Sequence, residues 1–256
     1  MWLLIDIGNS AAKVGLFDPT SGTGRVPGEV IRTERFEHAR LQVRTLKDFI
    51  GNVPISRAAA VSVVPQQRDI WSDAVRQATG VELRLYTHAS ILPIDLAYRT
   101  PATMGHDRIA AAVGAWTRYA VPGERGVLVL DAGTALNIEV VRPDGIYPGG
   151  VIAAGPAMVR EALGRSTAQL PLIPLELPPS PVGTSTDEAL QSGILYSLLD
   201  AAVGMVARIQ RHEAVPFTVV TTGGWGAWMI EQLRVDWIHD RHLVLKGVAD
   251  LIRCNE

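Results

Sequence analysis

Near the start of the chain stands the run Leu3-Leu4-Ile5-Asp6-Ile7-Gly8-Asn9-Ser10-Ala11-Ala12-Lys13-Val14-Gly15-Leu16-Phe17. An apolar segment reaches a carboxylate, continues into a glycine and two small polar residues, and then becomes apolar again. This pattern predicts two strands joined by a tight turn that contains Asp6. Small turn residues let backbone N–H groups approach phosphate oxygens, and a carboxylate beside them can hold hydrated Mg²⁺. Taken alone, the run fits a phosphate-binding turn, and it fits an ordinary hairpin with an Asx-type turn at least as well.

A second run repeats this design in the middle of the chain. It reads Val127-Leu128-Val129-Leu130-Asp131-Ala132-Gly133-Thr134, and residues 136–141 return to a strand pattern. Two Asp-x-Gly turns, one opening each half, indicate an internal duplication whose halves face a shared cleft. A further strand at residues 217–220 leads to the pair Gly223-Gly224, where a flat ring could approach the backbone closely.

Strand and helix patterns alternate around these turns. The apolar run at residues 58–64 predicts a buried strand that a proline stops, and residues 81–86 predict another. Helical spacing covers residues 40–50, 66–79, 109–116, 189–211 and 244–253, with the longest helix predicted at 189–211. The alternation predicts an α/β protein with helices on the faces of a sheet.

The tetrad Gly105-His106-Asp107-Arg108 stands at the predicted start of a helix. Phosphoryl transfer to a hydroxyl needs a group that accepts the proton of that hydroxyl, and Asp107 could be this group. An acidic first turn also complements the helix dipole without any catalytic role. In the same way, the hydroxyls and acids of residues 183–188 are suited to capping the long helix that follows.

Composition and missing motifs exclude several classes of function. The 256 residues carry a formal net charge of −2, so no basic footprint for nucleic acid is present. The single cysteine, Cys254, cannot form an internal disulfide and suits a reducing cytosol. The N-terminal apolar run meets Asp6 too early for a signal peptide or a membrane span. We therefore expect a cytoplasmic protein whose partners are small molecules or proteins, with no nucleic acid and no membrane.

Motifs of other nucleotide-binding and hydrolytic classes do not occur. The sequence lacks Gly-x-x-x-x-Gly-Lys-[Ser/Thr], Gly-x-Gly-x-x-Gly after a strand, and Gly-x-Ser-x-Gly. His239 and His242 are spaced by three residues, but no third metal ligand is evident. Three glycine-bearing strand ends, each near small hydroxyls and two with an Asp, indicate a nucleotide held between two sheets.

In their order along the chain, the motifs resemble the type III pantothenate kinases, which belong to the acetate and sugar kinase, Hsp70 and actin superfamily. The resemblance spans nearly the whole chain. The motifs that carry it are Asp6-Ile7-Gly8-Asn9-Ser10, Ser62-Val63-Val64-Pro65, Tyr98-x-x-Pro101-x-x-x-Gly105-x-Asp107-Arg108, Asp131-x-Gly133-Thr134-Ala135, Gly183-x-x-Thr186, Gln191-Ser192-Gly193 and Thr222-Gly223-Gly224.

The resemblance implies a fold and an assembly. The fold class is α/β, with two similar actin-like (ribonuclease H-like) α/β halves, mixed sheets flanked by helices, and a cleft between the halves. We expect the first half to cover residues 1–104 and the second to cover residues 105–256, with the C-terminal helix a candidate to pack on the first half. The family is dimeric, so a homodimer with the substrate pocket near the subunit interface is also implied.

The resemblance further implies ATP-dependent phosphorylation of pantothenate to 4'-phosphopantothenate, the first step of coenzyme A biosynthesis, with Asp107 as general base. Mg²⁺ would accompany ATP near Asp6, and Asp131 would bind a monovalent cation, K⁺ or NH₄⁺. The residues expected to bind ATP are Asp6, Ile7, Gly8, Asn9, Ser10, Ala11, Ala12, Lys13, Thr134, Thr222, Gly223 and Gly224. Those expected to bind pantothenate are Tyr98, Gly105, His106, Asp107, Arg108 and Thr186, the last of them across the interface.

His106 is larger and more readily titrated than the residues usual at its position, and we expect it to face solvent rather than to perturb Asp107. A regulatory protein could keep the fold and bind nucleotide without turnover, although it would have no physical need for the set of Asp6, Asp107, Arg108 and Asp131. Another kinase of the superfamily is the second rival, and the block from Tyr98 to Arg108 separates it from a pantothenate kinase.

Overall fold

A computed structural model describes residues 1–22, 24–167 and 169–256 of the chain. The strands in these residues are β1 Trp2–Ile7, β2 Ala11–Asp18, β3 Glu29–Glu37, β4 Arg57–Ser62, β5 Leu83–Leu85, β6 Asp95–Leu96, β7 Gly126–Ala132, β8 Ala135–Val141, β9 Ile146–Tyr147, β10 Gly149–Ala154, β11 Phe217–Thr222 and β12 Ile238–His239. The helices are α1 Val43–Ile50, α2 Arg68–Thr79, α3 His106–Tyr119, α4 Pro156–Ser166, α5 Thr186–Glu213, α6 Gly226–Leu233 and α7 Leu243–Cys254. Single 3₁₀ turns occur at His38–Arg40, Pro65–Gln67 and Pro101–Thr103.

The chain forms two compact units. The first consists of Met1–Ala120, Gly145–Pro148 and His242–Glu256, and the second of Val121–Asp144 and Gly149–Arg241. These units are a different division from the two halves expected from the sequence, whose boundary between residues 104 and 105 stays a prediction.

Each unit contains one five-stranded mixed sheet, and the two sheets share a topology. The order in the first is β3-β2-β1-β4-β5, and in the second it is β10-β8-β7-β11-β12. In both, three strands pair antiparallel, and two further strands then add in parallel. The prediction of mixed sheets flanked by helices is confirmed, and both Asp-x-Gly turns lie in the hairpin that begins each sheet.

The first unit buries most of its central strand, β1. Leu3, Ile5 and Ile7 of β1 belong to a core cluster with Leu46 of α1 and Trp71 of α2, all at 0 % exposure. Each apolar side chain of this size contributes roughly 1.5–3 kcal/mol when it leaves water. The apolar side chains of β1 therefore pack against the helices α1 and α2, and this packing stabilises the first unit.

Helix α7 covers the first sheet from the C-terminal end of the chain, since it packs against β1, β4 and α3. Its Asp250 is 2 % exposed and forms an ion pair with Arg118 of α3, while Thr117 Oγ1 donates to its Oδ2 at 2.7 Å. A buried carboxylate is tolerated only when its oxygens are satisfied in this way. The cluster thus fixes how α7 lies along α3.

The second unit is built around α5. Leu198, Leu199 and Ala202 of this helix pack with Leu128 and Leu130 of β7 in one core cluster. By length and composition alone, α5 could cross a membrane, because an 18-residue window has a mean hydropathy of 1.4, and 39 % of that window is buried. Core helices of soluble proteins have the same properties, so the finding is weak evidence for a membrane span.

Most predicted elements are present, with shifted ends. The helix expected from residue 40 begins at Val43, because residues 38–40 form a 3₁₀ turn and Gln42 and Thr45 make reciprocal capping contacts at its start. The strand expected at 81–86 is limited to Leu83–Leu85, the stretch that pairs with β4. Such differences arise at helix and strand ends, where capping and pairing decide the boundary.

Candidate functional site

The first Asp-x-Gly turn connects β1 to β2 in the first unit. Asp6 pairs with Lys13 across the hairpin, and the N–H of Gly8 donates to the carbonyl of Ala11 at 3.2 Å. The carbonyl of Ile7 accepts a hydrogen bond from the N–H of Val63, at the end of the parallel strand β4, at 3.1 Å. Backbone bonds therefore hold the turn from both sides, while Asn9 and Ser10 remain exposed and free to meet a ligand.

His38 supports this turn from a distance of thirty residues. Its Nε2 lies 2.7 Å from the carbonyl oxygen of Gly8, and its Nδ1 lies 3.5 Å from the indole Nε1 of Trp71. A carbonyl only accepts and an indole N–H only donates, so Nε2 donates to Gly8 and Nδ1 is the acceptor that faces Trp71. The sequence analysis missed His38, because no motif surrounds it and its contacts are with residues remote in the chain.

Asp107 is the second residue of α3, where the sequence placed a helix start. Its Oδ1 accepts a hydrogen bond from the N–H of Arg108 at 2.8 Å. A Cβ at position 105 would lie 2.5 Å from the same oxygen, so any other residue there would displace this carboxylate. Burial raises the pKa of Asp107, against the opposing effects of the N–H and the positive charge of Arg108. A half-buried carboxylate with a raised pKa is suited to accept a proton.

His106 does not face solvent, and that expectation is wrong. The residue is 9 % exposed, and its Nδ1 lies 3.0 Å from the carbonyl oxygen of Ser62, to which it must donate. Its ring also stacks on that of His88, with ring centroids 6.1 Å apart. Burial lowers its pKa, which favours the neutral ring. His106 therefore ties the start of α3 to the end of β4, next to the first turn.

The block from Tyr98 to Arg108 is anchored by Tyr147. Arg108 is 8 % exposed, and its Nη2 donates to the hydroxyl of Tyr147 at 3.1 Å. The ring of Tyr98 meets that of Tyr147 edge-on, with centroids 6.2 Å apart. The sequence analysis did not single out Tyr147, although the proline and glycines that follow it mark its segment as special.

The second Asp-x-Gly turn lies in the second unit, where it meets the glycine pair after β11. Thr222 pairs with Asp131 in the parallel register of β11 and β7. Gly223 has a φ of +81°, and a Cβ there would lie 2.5 Å from Oδ1 of Asp131 and from the carbonyl oxygen of Ala132. Only glycine allows this approach. The structure thus brings Asp131, Thr222 and Gly223 together.

Gly155 completes this arrangement. Its N–H donates to the carbonyl of Thr134 at 3.1 Å, and a Cβ on it would lie 2.4 Å from the same oxygen. Thr134 and Gly224 are exposed, whereas Thr222 is 2 % exposed. In the first turn, Ala12 is likewise buried, at 0 % exposure. The buried members shape the two turns, and the exposed ones are available to a ligand.

Thr186 opens α5 and is exposed. The preceding residue, Ser185, is the N-cap, since its Oγ accepts from the N–H of Glu188 at 3.2 Å. The side chain of Glu188 in turn accepts from the N–H and the hydroxyl of Thr184, both at 2.7 Å. The predicted capping role of these hydroxyls is confirmed for Ser185, and the side chain of Thr186 is not the cap.

Residues 1–22, 24–167 and 169–256 contain no group of three or more His, Cys, Asp or Glu side chains able to hold a metal ion. His239 instead places its Nδ1 3.1 Å from Oγ1 of Thr221. Asp6 and Asp131 offer single carboxylates beside small turn residues. Oxygen donors of this kind fit Mg²⁺ or K⁺ only when phosphates, carbonyls or water supply the remaining ligands.

Comparison with solved structures identifies the fold. A Campylobacter jejuni protein assigned to the Baf family of transcriptional activators has a TM-score of 0.60 at 19 % identity, covering 98 % of this chain and 97 % of its own. A Sinorhizobium meliloti protein assigned as 2-dehydro-3-deoxygalactonokinase has a TM-score of 0.56 at 13 % identity, covering 99 % and 96 %. A glucokinase from an Antarctic psychrotroph has a TM-score of 0.54 at 10 % identity, covering 98 % of both chains. The fold is that of the actin-like ATPases and sugar kinases.

Sequence comparison identifies the family within this class. The sequence model described as type III pantothenate kinase matches residues 2–208. Type III pantothenate kinase 1 of Symbiobacterium thermophilum is 36 % identical over 100 % of this chain and 97 % of its own length. The type III pantothenate kinase of Thermus thermophilus is 34 % identical over 97 % of each. The chain belongs to the type III pantothenate kinase family, whose members are kinases that transfer phosphate to pantothenate.

Proposed function

We propose that this protein phosphorylates the terminal hydroxyl of pantothenate at the expense of ATP, with Asp107 as the general base. The observation that carries the proposal is the environment of Asp107, where burial raises the pKa of a carboxylate that stands over Gly105 and is held by the N–H of Arg108. A base of this kind removes the proton of the acceptor hydroxyl as its oxygen attacks phosphorus. Family membership supplies the substrate class, since its members transfer phosphate to pantothenate.

The proposed substrate contacts follow from exposure and charge. Arg108 carries the positive charge that matches the carboxylate of pantothenate, and Tyr98, Gly105 and His106 flank it along the block. Thr186 is exposed at the start of α5 and would reach the pocket of a partner subunit in a homodimer. His106 is buried, so its contribution is to hold the start of α3 rather than to contact substrate with an exposed ring.

ATP is the phosphate donor of the proposed reaction, and when bound it supplies the phosphoryl group and brings Mg²⁺ with it. The first turn, residues 6–13, would hold phosphates through N–H groups and the hydroxyl of Ser10, with Asp6 beside Mg²⁺. Thr134 would contact phosphate as well, and residues 222–224 would lie along adenosine, where glycine leaves the backbone open. Asp131 would bind K⁺ or NH₄⁺, a role that its single carboxylate suits.

The proposal also extends to assembly and location. A homodimer is proposed from the family resemblance, and a cytoplasmic location from the single cysteine. The two halves, residues 1–104 and 105–256, are proposed as the products of a duplication, with the shared sheet order as support.

The test is ADP formation from ATP, measured with and without pantothenate and with K⁺, NH₄⁺ or neither. We expect turnover to require pantothenate and to rise with the monovalent cation. Asp107→Asn is expected to lower kcat by roughly 10² to 10⁴, the usual contribution of a general base. The matched control is Asp69→Asn, because Asp69 is also the second residue of a helix, α2, and is exposed.

These measurements distinguish a catalytic role of Asp107 from a purely structural one. If Asp107 only complemented the helix dipole, both Asn variants would lose at most about 1 kcal/mol of stability and would keep their activity. Wild-type protein without pantothenate-dependent turnover would refute the proposed function, and binding of ATP without turnover would then favour the regulatory alternative.

A further inference from the structure

Tyr147 contacts both ends of the block that carries the proposed pantothenate site. Its hydroxyl accepts from Nη2 of Arg108 at 3.1 Å, and its ring lies edge-on to that of Tyr98 at 6.2 Å between centroids. Its carbonyl accepts from the N–H of Ala97, the residue before Tyr98, at 3.0 Å. We propose that Tyr147 is a positioning residue that holds Arg108 and Tyr98 in the geometry that binds pantothenate, an inference that rests on the proposed function.

The block needs such support because little regular structure holds it. Between β6 and α3 it contains only the 3₁₀ turn Pro101–Thr103. β6 pairs with β9 over two residues, and one of these pairs joins Leu96 to Tyr147. A two-residue ladder is too short to fix a loop by itself. The side chain of Tyr147 adds a contact at each end of the block, eleven residues long by its numbering from Tyr98 to Arg108.

Because Arg108 and Tyr147 are both buried, the hydrogen bond between them orients the guanidinium of Arg108. Arg108 is 8 % exposed and Tyr147 is 0 % exposed. A buried guanidinium requires acceptors for its N–H groups, and the phenolic oxygen provides one at a fixed position on a rigid ring. The same ring also lies edge-on to that of Tyr98. The orientation of the cation is therefore coupled to that of the aromatic residue at the other end of the block.

Tyr147→Phe isolates this function. The substitution keeps the ring, its contact with Tyr98 and the backbone bond to Ala97, and it removes the hydroxyl that accepts from Arg108. The backbone N–H that Arg108 gives to Asp107 is unaffected. We expect the KM for pantothenate to rise roughly tenfold, as for loss of a hydrogen bond to a charged group, while the KM for ATP and kcat stay within about twofold.

Tyr196→Phe is the matched control. The hydroxyl of Tyr196 also makes a hydrogen bond within the protein, as the donor to the carbonyl of Pro178 at 3.3 Å, and Tyr196 lies on α5 in the second unit. We expect this variant to keep both KM values. A role of Tyr147 in stability alone would lower the melting temperature and leave the KM for pantothenate unchanged, which would overturn the inference.

A double-mutant cycle tests whether Tyr147 acts through Arg108. In an Arg108→Gln background, Tyr147→Phe is expected to add less than about a twofold further rise in the pantothenate KM. A full tenfold rise in that background would overturn the proposed route. If the phenylalanine variant fails to fold, Tyr147→His is the second variant, since it keeps a ring on the Tyr98 side and lacks the phenolic oxygen that accepts from Arg108, and it is expected to raise the same KM. Wild-type protein without pantothenate-dependent turnover would remove the proposed function and this inference together, whereas turnover with an unchanged KM in both variants would remove the inference alone.

Discussion

The surroundings of the Asp107 carboxylate favour its protonated form. Burial raises the pKa of Asp107 above its ordinary value of 3.8. A general base works only when deprotonated, so turnover should fall as the pH drops through this raised pKa. We expect an acid limb in kcat/KM for pantothenate with its midpoint above 3.8, measured from pH profiles. A midpoint at or below 3.8 would contradict the assignment. His106 is the neighbouring group that could titrate there, and the limb is expected to persist in His106→Asn.

The same shift has a consequence for stability. Because the folded pKa of Asp107 lies above the unfolded one, the folded state binds the proton more tightly, and ionisation at neutral pH weakens it. Asn cannot ionise, so Asp107→Asn should melt at or above the wild-type temperature at pH 7 and lose this advantage at acidic pH. Thermal denaturation at several pH values measures it. An inactive variant that is also much less stable would indicate a structural role instead.

His38 is the residue whose contacts connect the first turn to the core. His38→Leu removes the donor that fixes the Gly8 carbonyl, so we expect a KM for ATP raised about fivefold and an unchanged KM for pantothenate. His38→Gln keeps one donor and one acceptor and should restore most of the affinity. His212→Leu is the control, because the side chain of His212 is 86 % exposed. Equal effects of all three substitutions on both substrates would rule out a specific role in the turn.

Residues such as His38 and Tyr147 could not be predicted from the sequence. The local settings of Asp6, Asp107 and Asp131 were predictable, because each lies near the end of a strand or in the first turn of a helix, where its neighbours in the chain define the structure. His38 and Tyr147 contact residues roughly 30 to 50 positions away, and no local pattern encodes such contacts. His106 was wrongly expected to face solvent, because its titratable side chain carries no sign of the Ser62 carbonyl that it meets inside the first unit.

At the scale of elements, the close crossing of α3 and α7 depends on two glycines. A Cβ at Gly247 would lie 1.8 Å from the carbonyl oxygen of Ala110, and one at Gly114 would lie 2.6 Å from that of Leu243. These are backbone atoms, which cannot move aside as a flexible side chain can. Hairpins and helices were predictable from apolar periodicity, whereas this crossing was not, because it depends on which two helices meet.

We therefore predict that Gly247→Ala lowers the free energy of unfolding by about 2–3 kcal/mol or more, through forced separation of the helices. Gly204→Ala on α5 is the matched control, since a Cβ there meets nothing within 4 Å. That control should raise stability by about 0.5–1 kcal/mol, the ordinary gain of alanine over glycine in a helix. Urea denaturation of both variants measures the difference, and a Gly247→Ala protein as stable as wild type would show that the crossing can relax.

At the scale of the whole molecule, exposed apolar side chains on the second unit are consistent with the proposed homodimer. Ile152 is 65 % exposed, Leu172 is 68 % exposed and Val182 is 74 % exposed. If Thr186 acts across subunits, a defect in it and a defect in Asp107 can complement each other. A heterodimer of the two variants would contain one site with both defects and one site with neither.

The prediction is that Asp107→Asn and Thr186→Glu, each nearly inactive alone, regain about a quarter of wild-type activity when mixed as exchanging dimers, because half of the dimers are mixed and half of their sites are intact. Sedimentation checks that each variant is dimeric. Activity that stays at the level of the separate variants, with exchange demonstrated, would place Thr186 in the site of its own subunit.

The first unit is built from both ends of the given chain, and this affects how it folds during synthesis. Its sheet begins with the first residues of the chain, but α7, whose Leu245 and Leu251 are fully buried in it, follows every other element. On the ribosome, the face of β1 that α7 covers must stay bare while the entire second unit is synthesised. The unit that is translated first is thus completed last, and a nascent chain exposes its most apolar strand for most of the time needed to make it.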